Sequence, residues 1–304
     1  MNTVRKNSLM AWFLASRPKT LSGAVLPVAL GIALAYTDGV GKMLPAVLCV
    51  LFALVMQVAA NFINDLFDFL KGTDGEDRLG PERACAQGWI TPSAMKIGIA
   101  LTIVLAGGIG LALLWQTFLS RCSEAWWLVG LGVACIVFAF LYTTLLSYCG
   151  MGDVLVWVFF GFVPVCGTYY VQAGNICSHA LWLSAAVGLV VDTLLVLNNY
   201  RDRDTDRMSG KHTLISVLGE RFGRYYYLAV GMLGVVCLVP VAVDGAWGVM
   251  IGALYLLPHI TTWRTMTRIF SGKALNKVLA LTSRNMMIFG ILVVVGLILS
   301  QIGH

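Results

Sequence analysis

Two short runs of residues carry the chemistry. Asn61, Asp65 and Asp68 stand at i, i+4 and i+7; Asn198, Asp202 and Asp206 stand at i, i+4 and i+8. On a helix each set falls on one face, so each presents an amide and two carboxylates as a stripe. Such a stripe repels itself unless a cation sits among its oxygens. Mg²⁺ is the natural partner, being hard, oxygen-seeking and commonly shared with the phosphates of a substrate. A lone Asp-x-x-Asp at a helix end is ordinarily solvated or paired with a nearby arginine. Two matched sets, each with its asparagine one turn earlier, point instead to a metal site. Asp65, Asp68, Asp202 and Asp206 are the expected catalytic carboxylates, and with Asn61 the expected metal set. Asp74, Asp77 and Asp204 are equally well explained as solvated loop residues.

Cations follow both runs closely: Arg78 and Arg83 after the first, Arg201, Arg207 and Lys211 within and after the second. Guanidinium forks match phosphate oxygens two at a time. Acids, metal and arginines together describe a diphosphate site, with Asn61 and Asn198 beside it. Gly72, Gly75, Gly80 and Pro81 keep the segment after the first run irregular, so that it can cover the site as a lid.

The elements that hold these residues are membrane helices. The 304 residues are 59% hydrophobic and 12% charged, with a mean hydropathy of +0.82; soluble domains carry about 25% charged residues. The apolar runs do not alternate as barrel strands do, which leaves helices as the way to satisfy the backbone in lipid. Nine spans are expected, near 20–37, 43–63, 97–116, 125–146, 153–171, 180–200, 224–242, 247–263 and 285–302, the eighth being the weakest. The expected fold is therefore all-α and polytopic, one membrane domain over 1–304 around a central cavity. Arg17-Pro18-Lys19 interrupts the first apolar run, so residues 1–19 read as an interfacial segment and not as a cleavable signal.

Of the 21 Lys and Arg residues, 19 fall on the side of the N-terminus and only Lys42 and Arg121 on the other. Basic loops stay cytoplasmic, which places the N-terminus and the long connections 64–96 and 201–223 inside and residue 304 outside a cell membrane. The net charge of +6 reflects that rule and contact with membrane lipid. No basic patch stands apart from the membrane flanks, which argues against nucleic acid. The eight cysteines form no C-x-x-C pair and read as buried small hydrophobes. Asn198 lies 137 positions after Asn61 with four spans in between, the mark of a duplicated four-helix unit. Transporters also show such repeats, but their acids sit at the bilayer midplane, not at one edge.

The run Asn61-x-x-Asn64-Asp65-x-x-Asp68-x-x-x-Gly72-Thr73-Asp74 resembles the first signature of the UbiA superfamily of intramembrane prenyltransferases, and Asp202-x-x-x-Asp206 its second. Further segments resemble the 1,4-dihydroxy-2-naphthoate polyprenyltransferase branch. They are Arg17-Pro18-Lys19-Thr20-Leu21, Arg78-x-Gly80-Pro81-x-Arg83, Gly167-Thr168-Tyr169-Tyr170, and the run from Asn198-Asn199-x-Arg201-Asp202 through Thr205-Asp206 to Gly210-Lys211-x-Thr213-Leu214. The resemblance favours Arg83 and Lys211 as substrate contacts; Lys19, Arg78 and Arg201 are further expected substrate contacts. The resemblance implies Mg²⁺-dependent transfer of a polyprenyl chain from its diphosphate to the naphthoate ring, with loss of CO₂ and diphosphate. 4-Hydroxybenzoate and homogentisate are the alternative acceptors.

The allylic cation in such a transfer needs a site without competing water, which bilayer burial supplies. Tyr142 and Tyr148 are candidate aromatic faces for it, against plain packing as the alternative. Asp153 follows Gly150-Met151-Gly152 where this branch is expected to carry an acid, often Glu; a helix cap explains it equally well. Asp192, inside the sixth span, is either a satisfied structural group or part of the cavity wall. The four histidines form no ligand cluster; His212, in the second loop, is at most a substrate contact.

Overall fold

The computed structural model describes residues 4–72, 79–120 and 125–302, leaving aside the side chains at 119, 120 and 147. The described residues form helices and turns without a strand. Helix α1 (Leu9–Ala15) is capped by Ser8, buries Ala11 and Ala15, and leaves Leu9, Met10 and Phe13 exposed. This is apolar surface on a helix too short to cross a bilayer. Then come α2 (Pro18–Thr37), α3 (Met43–Lys71), α4 (Pro92–Ser120) and α5 (Trp127–Thr144). Helix α6 (Gly152–Trp157) runs through one π-helical turn, Val158–Phe162, into α7 (Val163–Ala173). The second half holds α8 (Ser178–Met208), α9 (Leu214–Val236), α10 (Val239–Val243), α11 (Leu256–Ile269) and α12 (Leu275–Ile302).

Eight helical stretches among the described residues are long and apolar enough to cross a membrane, in register with eight of the nine expected spans. The expected eighth span differs. Trp247–Tyr255 winds as a 3₁₀-helix and passes directly into α11. Neither piece alone is long enough, but together they extend for about 40 Å. This segment lies directly against α12. A Cβ on Gly248 would lie 2.2 Å from the carbonyl oxygen of Gly296, and one on Gly296 equally close to that of Gly248. Two backbones in direct contact are how membrane helices gain packing without a hydrophobic drive.

Helix α8 is the axis of the molecule. It packs against α2, α6, α7, α9 and α12. Inside the protein, 72% of its apolar window is buried, against 22% for α3 and 6% for α5. Both motif helices run beyond the expected ends of their spans. α3 continues to Lys71, where Gly72 closes it with φ +70°, and α8 continues to Met208. The acids therefore sit on helix, as a one-face stripe requires, and the long connections begin later than residues 64 and 201.

Candidate active site

The first motif is held by its own chain. The Asn61 amide donates to the Ser16 carbonyl at 2.8 Å and to the Thr20 hydroxyl at 3.0 Å, pinning α3 to the α1–α2 junction. Asp65 is 1% exposed. Its Oδ2 accepts the Ala84 N–H at 2.9 Å and its Oδ1 the Cys85 N–H at 2.8 Å. Asp68 accepts Arg83 Nη2 at 2.7 Å. Asp65 and Asp68 thus fasten the returning half of the first connection onto α3. Arg17, with φ +50° at the start of α2, brings Nη2 within 4.0 Å of Asp65. A left-handed conformation in a non-glycine residue costs about 1 kcal/mol or more, and it marks a place where geometry is constrained. Lys19, two residues on, is exposed and makes no ion pair among the described residues. It is Arg17 that reaches the motif.

The second motif is more open. Arg201 grips its neighbour Asp202 with both prongs of the fork, Nε to Oδ1 at 2.7 Å and Nη2 to Oδ2 at 2.6 Å. Asp206 has Lys211 Nζ 3.5 Å from Oδ1, while its Oδ2 is buried and has no hydrogen-bond partner. Asn198 is half-buried and makes no side-chain hydrogen bond among the described residues. Arg207 donates to the Ser216 carbonyl and serves the turn into α9, where Thr213 and Ser216 form a reciprocal cap.

Asn276 joins the two halves. Its Oδ1 accepts Arg201 Nη1 at 2.8 Å and its amide donates to the Leu79 carbonyl, also at 2.8 Å. Tyr148 is a second link. Lys71 lies 4.2 Å over its ring, and its carbonyl accepts the His212 N–H at 3.1 Å. Neither Asn276 nor Arg17 was singled out as a site residue from the sequence. The signal for Arg17 was present, in the Arg-Pro-Lys run. Asn276 shares no local pattern with its partners. Arg78, Asp74 and Asp77 lie outside the described residues.

Beside the second motif lies a small cavity whose wall includes Tyr142, Asp153, Asn199, Lys211 and Thr213. The Gly167–Tyr170 segment stands elsewhere. Gly31 meets the Val165 carbonyl and Thr168, Tyr169 donates to Asp38 at 2.6 Å, and Tyr170 packs edge-on to Trp127. These contacts bind α7 to α2 and α5, so that motif builds the scaffold.

Residues 24–285 match the model of the UbiA prenyltransferase family. The chain belongs to that family. Among curated UbiA-type relatives, the 1,4-dihydroxy-2-naphthoate octaprenyltransferase of Escherichia coli (strain K12) is 34% identical over 96% of both chains. That of Haemophilus influenzae is 36% identical over 78% of this chain and 79% of its own. The human UbiA prenyltransferase domain-containing protein 1 is 28% identical, covering 96% of this chain and 85% of the relative. The solved structure of a UbiA homolog from Archaeoglobus fulgidus bound to DMAPP and Mg²⁺ superposes with a TM-score of 0.65 at 13% identity, covering 93% of this chain and 99% of that one. At that identity the likeness concerns the fold.

The UbiA family makes this chain a prenyltransferase, and its donor set fits a hard divalent ion. Among the described residues no three His, Cys, Asp or Glu side chains close into a protein cage. That suits Mg²⁺, which in phosphate sites takes one or two carboxylates and completes its shell from substrate and water. The unpartnered Oδ2 of Asp206 is a buried acceptor awaiting a partner of this kind; leaving it unmatched costs about 1–3 kcal/mol.

Proposed function

We propose that the chain transfers a polyprenyl group from polyprenyl diphosphate to 1,4-dihydroxy-2-naphthoate, giving the hydroquinone form of demethylmenaquinone with loss of CO₂ and diphosphate. The observation that carries the transfer is the open Oδ2 of Asp206 among Asp202, Arg201 and Lys211, beside a small cavity. The acceptor rests on the naphthoate enzymes it resembles over nearly their whole length.

Mg²⁺, held by Asp202, Asp206 and Asp68, would neutralise the charge that grows on the departing diphosphate. Arg83, Arg201 and Lys211 already face these carboxylates, at 2.7, 2.6 and 3.5 Å. When a diphosphate enters they exchange carboxylate for phosphate oxygens and orient the leaving group. Asp65 keeps its two backbone hydrogen bonds and so holds the covering loop in place; each oxygen retains a second lone pair for the site. Tyr142 presents a ring where the allylic carbon becomes positive. The helical walls keep water from intercepting that carbon.

The 19-to-2 distribution of basic residues supports a single membrane domain in the cell membrane, with the N-terminus and both motif loops cytoplasmic. A cysteine placed at Ser209 in a variant lacking the native cysteines should react with an impermeant reagent from the cytoplasmic face only.

The test of the reaction is purified protein with polyprenyl diphosphate, Mg²⁺ and carboxyl-labelled acceptors. The expected result is labelled CO₂ from the naphthoate in equal amount to diphosphate, no turnover in EDTA, and recovery with Mg²⁺. Prenylated 4-hydroxybenzoate with its label retained, and no naphthoate turnover, would move the chain to another aromatic acceptor. Full activity in metal-free buffer would overturn the metal assignment.

A further inference from the structure

Three helices bring together polar groups that the diphosphate chemistry does not use, and Tyr142 of α5 lines the same cavity. Asp153, on the first turn of α6, is 8% exposed and lines the cavity. Tyr226, from α9, donates towards Asp192 Oδ2 of α8 at 3.5 Å and lies within reach of Asp153. Asp192 is 2% exposed, and its Oδ1 is buried without a hydrogen-bond partner. Tyr142, from α5, lies within electrostatic reach of both acids and of Asp68 and Asp206. The same cavity is also lined by Asn199 and Lys211, and Lys211 is the cation paired with Asp206.

A scaffold has no use for this arrangement. One phenol proton between two carboxyl groups can satisfy only one of them at a time, and burying two acids in a membrane helix bundle is expensive. Apolar residues of similar volume would stabilise the bundle better. The cluster instead offers a cavity-lining acceptor, Asp153, backed by a relay through Tyr226 to an acid with an unfilled oxygen. That pattern is complementary to a ring hydroxyl directed towards Asp153.

We propose that the Asp153–Tyr226–Asp192 cluster is the acceptor-hydroxyl site, with Asp153 the catalytic residue and Tyr226 and Asp192 positioning residues behind it. The proposal rests on the reading of the chain as an aromatic prenyltransferase and names the part that handles the acceptor. As the ring carbon bearing the carboxylate bonds to the allylic carbon, the C–O bond to diphosphate breaks and diphosphate leaves with its electron pair. The adjacent ring hydroxyl becomes a ketone, and its proton passes to Asp153, while the Tyr226 proton shifts towards Asp192. The C–CO₂ bond of the resulting β-keto acid then breaks, its electrons return to the ring oxygen as an enolate, and the borrowed proton goes back. No proton is gained or lost in sum, as befits a relay sealed from water.

The test is a cycle of protein and substrate. Diphosphate release is measured for wild type, Asp153→Asn and Tyr226→Phe, each with the hydroxylated acceptor and with its methyl ether at the hydroxyl beside the reacting carbon. Prenyl diphosphate binding is measured in parallel to show that each variant is folded. Asp153→Asn is expected to lose about 10²-fold in kcat with the hydroxylated acceptor, the usual scale of proton-transfer assistance, with prenyl diphosphate affinity unchanged. The methyl ether is expected to lower wild type to a similar rate, and the variant is expected to lose little more with it. Tyr226→Phe follows the same pattern more weakly. Equal proportional losses on both acceptors, in either variant that still binds prenyl diphosphate, would overturn the proposal, because two independent defects multiply. If wild type accepts 4-hydroxybenzoate instead of the naphthoate, the acceptor reading fails. The same cycle with that phenol and its ether then decides on the cluster, with the proton lost to solvent instead of returned.

Discussion

The two aspartate motifs match in sequence and differ in what they hold. On α3, Asn61, Asp65 and Asp68 bind the α1–α2 junction, the amides of Ala84 and Cys85, and Arg83. On α8, Asp202 is gripped by its own neighbour and Asp206 keeps a buried oxygen without a partner. The helices differ likewise: α8 is the buried axis, α3 a peripheral element with a loop folded over its end. A repeated motif can thus keep its spacing while one copy builds the cover of a site and the other its open floor.

The sharpest break in that comparison should come from Asp206→Asn. Turnover is expected to fall by about 10²–10³-fold, the scale of lost electrostatic stabilisation at a leaving group. The unfolding temperature should change little, because the substitution removes a buried carboxylate oxygen without a hydrogen-bond partner and gives up only a partly exposed ion pair with Lys211. Asp65→Asn should instead lower stability. An amide nitrogen facing the Ala84 or Cys85 N–H leaves donors opposed, and the cost is about 1–3 kcal/mol. Calorimetry in detergent together with diphosphate release separates the two. Equal thermal destabilisation by both substitutions would erase the distinction between the motifs.

Asn276→Ala should have an intermediate effect. It removes two hydrogen bonds that tie Arg201 to the Leu79 carbonyl, each worth about 1 kcal/mol, and so loosens the covering loop without touching an acid. The expected result is roughly a tenfold rise in the KM for prenyl diphosphate at nearly constant kcat. A fall in kcat at constant KM would place Asn276 in the chemistry instead. The smallest effect belongs to Lys19→Ala, within about twofold of wild type as for surface changes generally. Arg17→Ala, which removes the cation 4.0 Å from Asp65, should cost more. A larger loss from Lys19 than from Arg17 would reverse that assignment.

What was legible in the chain follows from periodicity. Apolar runs gave the membrane helices, and spacing put each acid set on one face, because both signals are local. The span over 247–269 was hard to read because its packing depends on Gly248 meeting Gly296 of another helix. The difference between the motifs was invisible for the same reason. Asp65 is matched by amides 19 and 20 residues on, and Asn276 by a carbonyl 197 residues away. Arg17 and Lys19 stand two residues apart in one basic run, and Arg17, in a left-handed turn, is the one that reaches Asp65.

The most direct measurement is hydrogen exchange at the Ala84 and Cys85 amides in metal-free detergent, for wild type, Asp65→Asn and Asp206→Asn. The account predicts strong protection in wild type and Asp206→Asn and its loss in Asp65→Asn. Protection that survives in Asp65→Asn, or is lost equally in Asp206→Asn, would contradict the division of labour between the two motifs.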